Sequence, residues 1–284
     1  MLSYQHIYHA GNFADVHKHA ILVELLKTLK AKNPKLAVLD THAGRGVYDL
    51  GSEEAQKTGE YQHGAQHFWE NDTLPESLKA IVAKHNPEGE LKTWPGTARI
   101  ARELLRPTDK LVCIERHPGE YEELQKAMAT ATNTDVKQAD GFEHVVEFSP
   151  PPARKGLVII DPSYEIKTEY AQTAKQVNLA WKKWPQGVFM IWYPLLQAQG
   201  HKQLLTGLRK TNVTDVMVSE IRLDKAPGED YRMYGTGVAI VNPPWPVDFL
   251  DTLTQYIAGR MPQKAYGDVF WLDNQPIDPE TGLV

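Results

Sequence analysis

The 284-residue chain has a single cysteine, Cys113, which excludes a disulfide framework and a thiolate zinc site. Cys113 stands in the apolar run Leu111-Val112-Cys113-Ile114 and reads as a core residue. A reducing compartment fits, and the start, Met1-Leu2-Ser3-Tyr4-Gln5-His6, lacks the basic-then-apolar layout of a secretory signal. We therefore expect a cytoplasmic protein. No apolar run approaches membrane-spanning length, and no repeat or low-complexity tract is present. An excess of positive charge is missing as well: net charge is −5, so bulk composition does not advertise nucleic-acid binding. The distribution says more. Residues 50–94 hold eight Asp and Glu against four Lys, whereas residues 1–35 hold five Lys against one Asp and one Glu. If RNA is bound, the Lys-rich start is the natural surface for it.

Phosphate-binding signatures are lacking too. Gly44-Arg45-Gly46-Val47-Tyr48-Asp49 has no third glycine of the dinucleotide fingerprint, and no Gly-Lys-Ser/Thr follows. A nucleoside cofactor without phosphates is preferred, and S-adenosylmethionine fits.

What is present is an alternation of strand and helix patterns. A helix is predicted from Val16 to Lys30 behind an Asp15 cap, with Ile21, Leu22, Leu25, Leu26 and Leu29 on one face. Strands are predicted at 36–40, 111–115, 136–139, 157–161, 187–193, 213–222 and 237–242. A helix follows Trp94-Pro95-Gly96, and short helical patterns appear near 61–70 and 76–85. The order argues for an α/β fold with a mostly parallel doubly wound sheet. Gly46 and Glu115 are 69 residues apart, far beyond the usual spacing of about twenty between the first turn and the second strand's acid. The acidic segment 48–94 accounts for the gap as an inserted helical subdomain, with 1–47 and 95–284 forming the Rossmann-like domain.

The carboxyl ends of parallel strands are where such sheets bind ligands. Gly44 lies in the first turn. Glu115 ends the second strand and can accept a ribose diol. Asp140-Gly141 ends the third, offering an acceptor for an adenine amine and room for the ring. The fourth ends in Asp161-Pro162-Ser163-Tyr164, one substitution from the Asp-Pro-Pro-Tyr of amino-methyltransferases. Asp161 and the Pro162 carbonyl can accept an exocyclic amine, and Tyr164 would stack on an extruded base. Asn242-Pro243-Pro244-Trp245 resembles the same clamp but follows about the seventh strand, so we read it as structural, near a sheet edge. By itself the clamp also suits a DNA adenine N6-methyltransferase, or an RNA-binding module that lost catalysis through Ser163.

The first twenty residues include His6, His9, His17 and His19 without acidic or thiolate partners at ligand spacing, and we expect no metal. The pattern Tyr4…His9-Ala10-Gly11-Asn12…Ala14-Asp15-Val16…Lys18-His19, then Leu39-Asp40-Thr41-His42-Ala43-Gly44, resembles the bacterial 23S ribosomal RNA adenine N6-methyltransferase family that modifies adenine 2030. Gly51-Ser52, Thr58-Gly59-Glu60-Tyr61, Pro95-Gly96, Ala139-Asp140-Gly141-Phe142, Trp192-Tyr193-Pro194 and Asn242-Pro243-Pro244-Trp245 extend the likeness. The resemblance implies a class I methyltransferase using S-adenosylmethionine on 23S rRNA. We expect a monomer without membrane attachment. It implies cofactor contacts at His19, His42, Thr97, Glu115, Asp140 and Gly141. Lys18 orders the site, Asp161 accepts the amine, and Tyr4 lies near the target base.

Overall fold

The run Gly156–Ile160 forms the strand from which the site is built, and each of its residues is buried. Its side chains alternate between two cores. Leu157 and Ile159 belong to one apolar cluster, Val158 and Ile160 to the other. A strand covered on both faces by helices needs such a continuous apolar run. A computed structural model describes residues 4–211, 213–225 and 233–284 of the chain.

In chain order the strands are β1 (Ala37–Asp40), β2 (Val47–Asp49), β3 (Thr93–Pro95), β4 (Lys110–Glu115), β5 (Thr134–Gln138), β6 (Gly156–Ile160), β7 (Val188–Leu196), β8 (Val216–Leu223), β9 (Met233–Val241) and β10 (Ala265–Trp271). The helices are α1 (Phe13–Lys32), α2 (Glu53–Thr58), α3 (Ala65–Glu70), α4 (Glu76–His85), α5 (Thr97–Leu104), α6 (Pro118–Ala127), α7 (Gly141–Phe148), α8 (Thr168–Lys183), α9 (His201–Lys210) and α10 (Val247–Ala258). Eight strands form one sheet in the order β10-β8-β9-β7-β6-β1-β4-β5. The pairs β5-β4-β1-β6-β7 are parallel, whereas β9 runs antiparallel between β7 and β8, and β10 is antiparallel to β8. The strand order reverses between β1 and β6, which opens a crevice at their carboxyl ends. The expected α/β architecture is present, with α1, α5 and α10 contributing to one core and α7, α8 and α9 to the other.

Three features differ from expectation. First, α1 begins at Phe13, because Asn12 and not Asp15 is its cap: Asn12 Oδ1 accepts the Asp15 amide at 3.0 Å. The first half of α1 is buried all round, including Asp15, His17, Lys18 and His19. His17 Nε2 meets Ser219 Oγ at 2.8 Å, which joins Thr254 Oγ1 at 2.7 Å, so a polar thread ties α1 to β8 and α10. Second, β2 and β3 pair antiparallel as a ribbon, and α2, α3 and α4 lie between them. The pattern near 61–70 divides into a 3₁₀ turn, Glu60–His63, and α3, separated at Gly64. Third, Asn242 is not near a sheet edge. Its strand is interior, and its antiparallel course carries Asn242 to the end opposite Asp161. There its amide, at φ 54°, donates to the carbonyls of Pro185 and Gly187. The structural reading of Asn-Pro-Pro-Trp holds, but strand direction is its reason.

Candidate active site

A cavity of about 450 Å³ opens at the carboxyl ends of β1, β4 and β6, within the size range of small-molecule sites. The site residues expected from sequence converge there from separated stretches of the chain. Tyr4, Lys18, His19, His42, Gly44, Thr97, Glu115, Asp140, Gly141, Asp161 and Pro162 all line it.

At the cofactor side, Glu115 ends β4 with Oε2 accepting the Gly44 amide at 2.9 Å and Oε1 accepting the His117 amide at 2.7 Å. Burial lifts its pKa, while these amides and that of Arg116 favour the charged form. Each oxygen retains a lone pair for a diol. Asp140 caps α7 through the Phe142 amide at 2.9 Å. Beside it, a Cβ on Gly141 would fall 1.9 Å from the Thr41 carbonyl oxygen, so the approach of α7 to β1 requires glycine. His42 is held by Thr41 Oγ1 at 2.7 Å and by the edge of Phe142, and burial pushes its pKa down to about 4. Thr97 donates its hydroxyl to Asp40 Oδ2 at 2.5 Å, and burial lifts the Asp40 carboxyl to about 7. His19 stacks on Trp94 at 5.6 Å, is driven to about 3 by burial, and leaves Nδ1 unpartnered. Acceptors at successive strand ends, a volume large enough and an orphaned ring nitrogen at the wall together suit S-adenosylmethionine.

At the catalytic side, the structure joins residues that the sequence left separate. Tyr4 Oη meets His6 Nδ1 at 2.9 Å, and His6 Nε2 meets Asp15 Oδ2 at 3.0 Å. Lys18 Nζ lies 3.0 Å from Asp15 Oδ1 and 2.6 Å from Asp161 Oδ2. A continuous polar chain thus runs from Tyr4 to the expected amine acceptor. Burial opposes the charge on Asp15, but His6 and Lys18 outweigh it and hold that carboxyl well below the usual range. Burial likewise opposes the Lys18 ammonium, but Asp15 and Asp161 lift its pKa well above the ordinary lysine value. His6 and Asp15 were missed as site residues because a local cap explained Asp15 and no nearby partner explained His6. The Asp15-x-x-Lys18 spacing, which places both groups on one helix face, was the available signal.

Tyr164 departs from its expected role. It is 4% exposed, does not line the cavity, stacks on Tyr170 at 4.3 Å and donates its hydroxyl to the Trp192 carbonyl at 2.8 Å. Its φ of 55° turns the ring back into the α8 core, so it braces the loop after Asp161 and offers no plate to a base. The aromatic walls near Asp161 are Tyr4 and Trp192, the latter with Lys18 Nζ 5.4 Å from its ring centroid.

The Lys-rich start also changes meaning. Lys18 is buried in the site, and Lys32 lies 14 residues along α1, roughly 21 Å away at 1.5 Å per residue. Lys27, Lys30 and Lys32 bond Glu24, the Leu104 carbonyl and the Pro244 carbonyl, toward the end of the sheet away from the cavity. At the rim itself stands Arg116, whose side chain is 61% exposed, with Lys167 exposed on the loop after Asp161. Among the described residues, no cluster of three or more His, Cys, Asp or Glu could hold a metal ion, and no helix is long and apolar enough to cross a membrane.

Known proteins match this chain over most of its length. The family model described as RsmJ, ribosomal RNA large subunit methyltransferase D, RlmJ, matches residues 33–272. The ribosomal RNA large subunit methyltransferase J of Escherichia coli strain K12 is 40% identical over 252 residues, 87% of this chain and 89% of that protein. The protein of the same description from Haemophilus influenzae is 39% identical over 253 residues, again 87% and 89%. A crystal structure of a Legionella pneumophila protein superposes with a TM-score of 0.81 at 33% identity, covering 93% of this chain and 98% of the other. The chain belongs to the RsmJ/RlmJ family of ribosomal RNA large subunit methyltransferases.

Proposed function

We propose that this chain transfers a methyl group from S-adenosylmethionine to N6 of one adenine, position 2030, in 23S rRNA. The observation that carries the acceptor assignment is the placement of Asp161 and Pro162 at the end of β6, on the cavity wall, with Asp161 Oδ2 held by Lys18. In this reading residues 48–94 are an inserted subdomain. The enzyme works as a monomer in the cytoplasm, on protein-free or early-assembling RNA.

Glu115, Asp140, Gly141, Gly44, His19, His42 and Thr97 would hold the cofactor, which supplies an electrophilic methyl on a sulfonium when bound. The chain's own residues prepare the nucleophile. An adenine amine is a poor nucleophile because its lone pair is delocalised into the ring. With Lys18 occupying Asp161 Oδ2, Oδ1 and the Pro162 carbonyl are left to accept the two amine hydrogens. Both bonds favour a tetrahedral nitrogen and stabilise the positive charge that develops on it. The surplus proton on nitrogen passes to Asp161. Trp192 and Tyr4 supply flat faces for the extruded base. Ser163 replaces a proline but neither acceptor.

The test is transfer of labelled methyl to protein-free 23S rRNA, to assembled subunits and to DNA, followed by nucleoside analysis. N6-methyladenosine in the rRNA alone, lost in Asp161→Ala, supports the reading. Label on DNA, or on another nucleoside, overturns it.

A further inference from the structure

The sequence Thr58-Gly59-Glu60-Tyr61 lies in the inserted segment, yet its contacts run to the N-terminal stretch that carries Tyr4. Thr58 Oγ1 donates to the Tyr8 carbonyl. Glu60 joins His9 and Asn12: Oε1 meets His9 Nδ1 at 2.8 Å, and Oε2 accepts the Asn12 side-chain amide at 3.0 Å. Behind them the backbones interlock. The Ala65 amide donates to the Gly11 carbonyl at 2.7 Å, and a Cβ on Gly64 would fall 2.3 Å from that same oxygen. Gly11, at φ 75°, faces Tyr61 Cβ where its own Cβ would be, only 3.2 Å away.

The clamp reaches the cavity through His9. The Tyr4 ring lies parallel to the His9 ring, 11° between planes and 5.6 Å between centroids. Tyr4, His9 and Glu60 all line the cavity, and Tyr4 heads the polar chain that ends at Asp161. His6 holds the Tyr4 hydroxyl, and the His9 ring holds the plane of the ring behind it. Whatever holds His9 therefore sets the wall that Tyr4 presents.

We propose that Glu60 is a positioning residue for the methyl acceptor: by fixing the His9 ring on which Tyr4 stacks, the inserted segment sets the base-side wall of the cavity. The proposal rests on the adenine reading above. It gives the insertion a definite task, that of aligning the acceptor side of the site. Burial works against the His9 imidazolium, but the Glu60 hydrogen bond and charge, with Asp15 and Glu165, outweigh it and lift its pKa. Tyr4 also stands against that ring.

The experiment is a steady-state comparison of Glu60→Ala, Glu60→Gln and His9→Ala, each alone and combined with Tyr4→Ala, using protein-free 23S rRNA. Calorimetry on the same proteins gives the Kd for S-adenosylmethionine. Glu60→Ala is expected to lower kcat/KM for RNA about tenfold, with the cofactor Kd changed less than about twofold. Glu60→Gln keeps both hydrogen bonds with a neutral His9 and recovers activity to within about threefold of the wild type. In the Tyr4→Ala background Glu60→Ala adds nothing, because its effect passes through Tyr4, whereas a purely structural loss would appear in full in both backgrounds. His9→Ala reproduces the loss and keeps the test open if Glu60→Ala folds poorly. The proposal is overturned by unchanged kcat/KM in Glu60→Ala and His9→Ala, by a parallel loss of cofactor binding, or by additivity with Tyr4→Ala. Absence of methyl transfer by the wild-type protein would overturn the adenine reading itself, a distinct result.

Discussion

Lys18 Nζ stands 2.6 Å from Asp161 Oδ2, joining residues 143 positions apart into an ion pair whose lysine is only 3% exposed. The same ammonium touches Asp15, so one cation serves two carboxylates. Removing it takes the cation from Asp15 Oδ1, leaving His6 and the Gly11 amide on Oδ2, and frees Asp161 to rotate. Lys18→Met should lower kcat about 100-fold or more, the scale seen when one transition-state contact is lost. It should also destabilise the fold by roughly 3–5 kcal/mol, as broken buried pairs do. Cofactor affinity should fall far less than the rate. Single-turnover methylation, calorimetry and thermal melts separate the three. A full rate in Lys18→Met would show that Asp161 needs no orienting partner.

Tyr164 and Trp192 share a hydrogen bond but not a role. Tyr164→Phe removes a buried donor and strands the Trp192 carbonyl, so a stability loss of about 1 kcal/mol is expected. Its KM for RNA should stay near the wild-type value. Trp192→Leu removes a cavity wall and should raise that KM at least about tenfold, since base–aromatic stacking is worth roughly 1–3 kcal/mol. The reverse ranking would return Tyr164 to the base.

Acid should unfold this protein early. His17, His19 and His42 have folded pKa values of about 3, 3 and 4, against 6.5 when free, each because burial penalises the charged ring. Below pH 6.5 the unfolded chain binds protons that the folded chain refuses, so stability falls as pH drops from 6.5 toward 4. Between pH 6.5 and 5 each ring accounts for roughly 2 kcal/mol. Urea midpoints at pH 7, 6 and 5 check this, and His17→Gln should flatten the decline.

Asp40 has the opposite sign. Its folded pKa of about 7 exceeds the free value of 3.8, so it destabilises the fold as pH rises from about 4 through 7. Asp40→Asn can still accept the Thr97 hydroxyl without a buried charge. It should gain stability relative to the wild type over that window, by roughly 1–3 kcal/mol at pH 8. Equal stabilities at pH 4 and pH 8 would refute it.

Gly141→Ala drives a methyl to within 1.9 Å of the Thr41 oxygen, which only backbone movement can relieve. A loss of roughly 1–3 kcal/mol and weaker cofactor binding should follow together, because the shift separates α7 from β1 at the strand ends that line the cavity. Melting temperature and Kd report both.

Much of this was legible in the chain. Buried parallel strands announce themselves as β-branched runs, and topology puts the residues after them at the ligand end of the sheet, which is why the placement of Glu115 and Asp161 at the cavity was readable; Asp140, after the exposed edge strand β5, was found from its Asp-Gly turn. Position along a strand does not reveal where a side chain turns, so Tyr164, carried into the core by a positive φ, was placed on the wrong side of its loop. Strand direction was also invisible, and it is direction that removes Asn242 from the site. The polar chain from Tyr4 to Asp161 escaped because its links span the N-terminal turn, α1 and β6. Lys27, Lys30 and Lys32 misled for a related reason: sequence shows that they are close to Lys18, but not that the helix carries them away from the cavity.

Cys113 sits in β4 with no exposed surface, and burial pushes its thiol well above the usual range. The wild-type protein should therefore be inert to thiol reagents while folded. Any cysteine placed by design at the rim, for instance Ile166→Cys, becomes the one reactive handle on the molecule. A single fluorophore there can follow the approach of RNA to the cavity without first stripping native thiols, and labelling of Cys113 itself becomes a clock for global opening of the sheet.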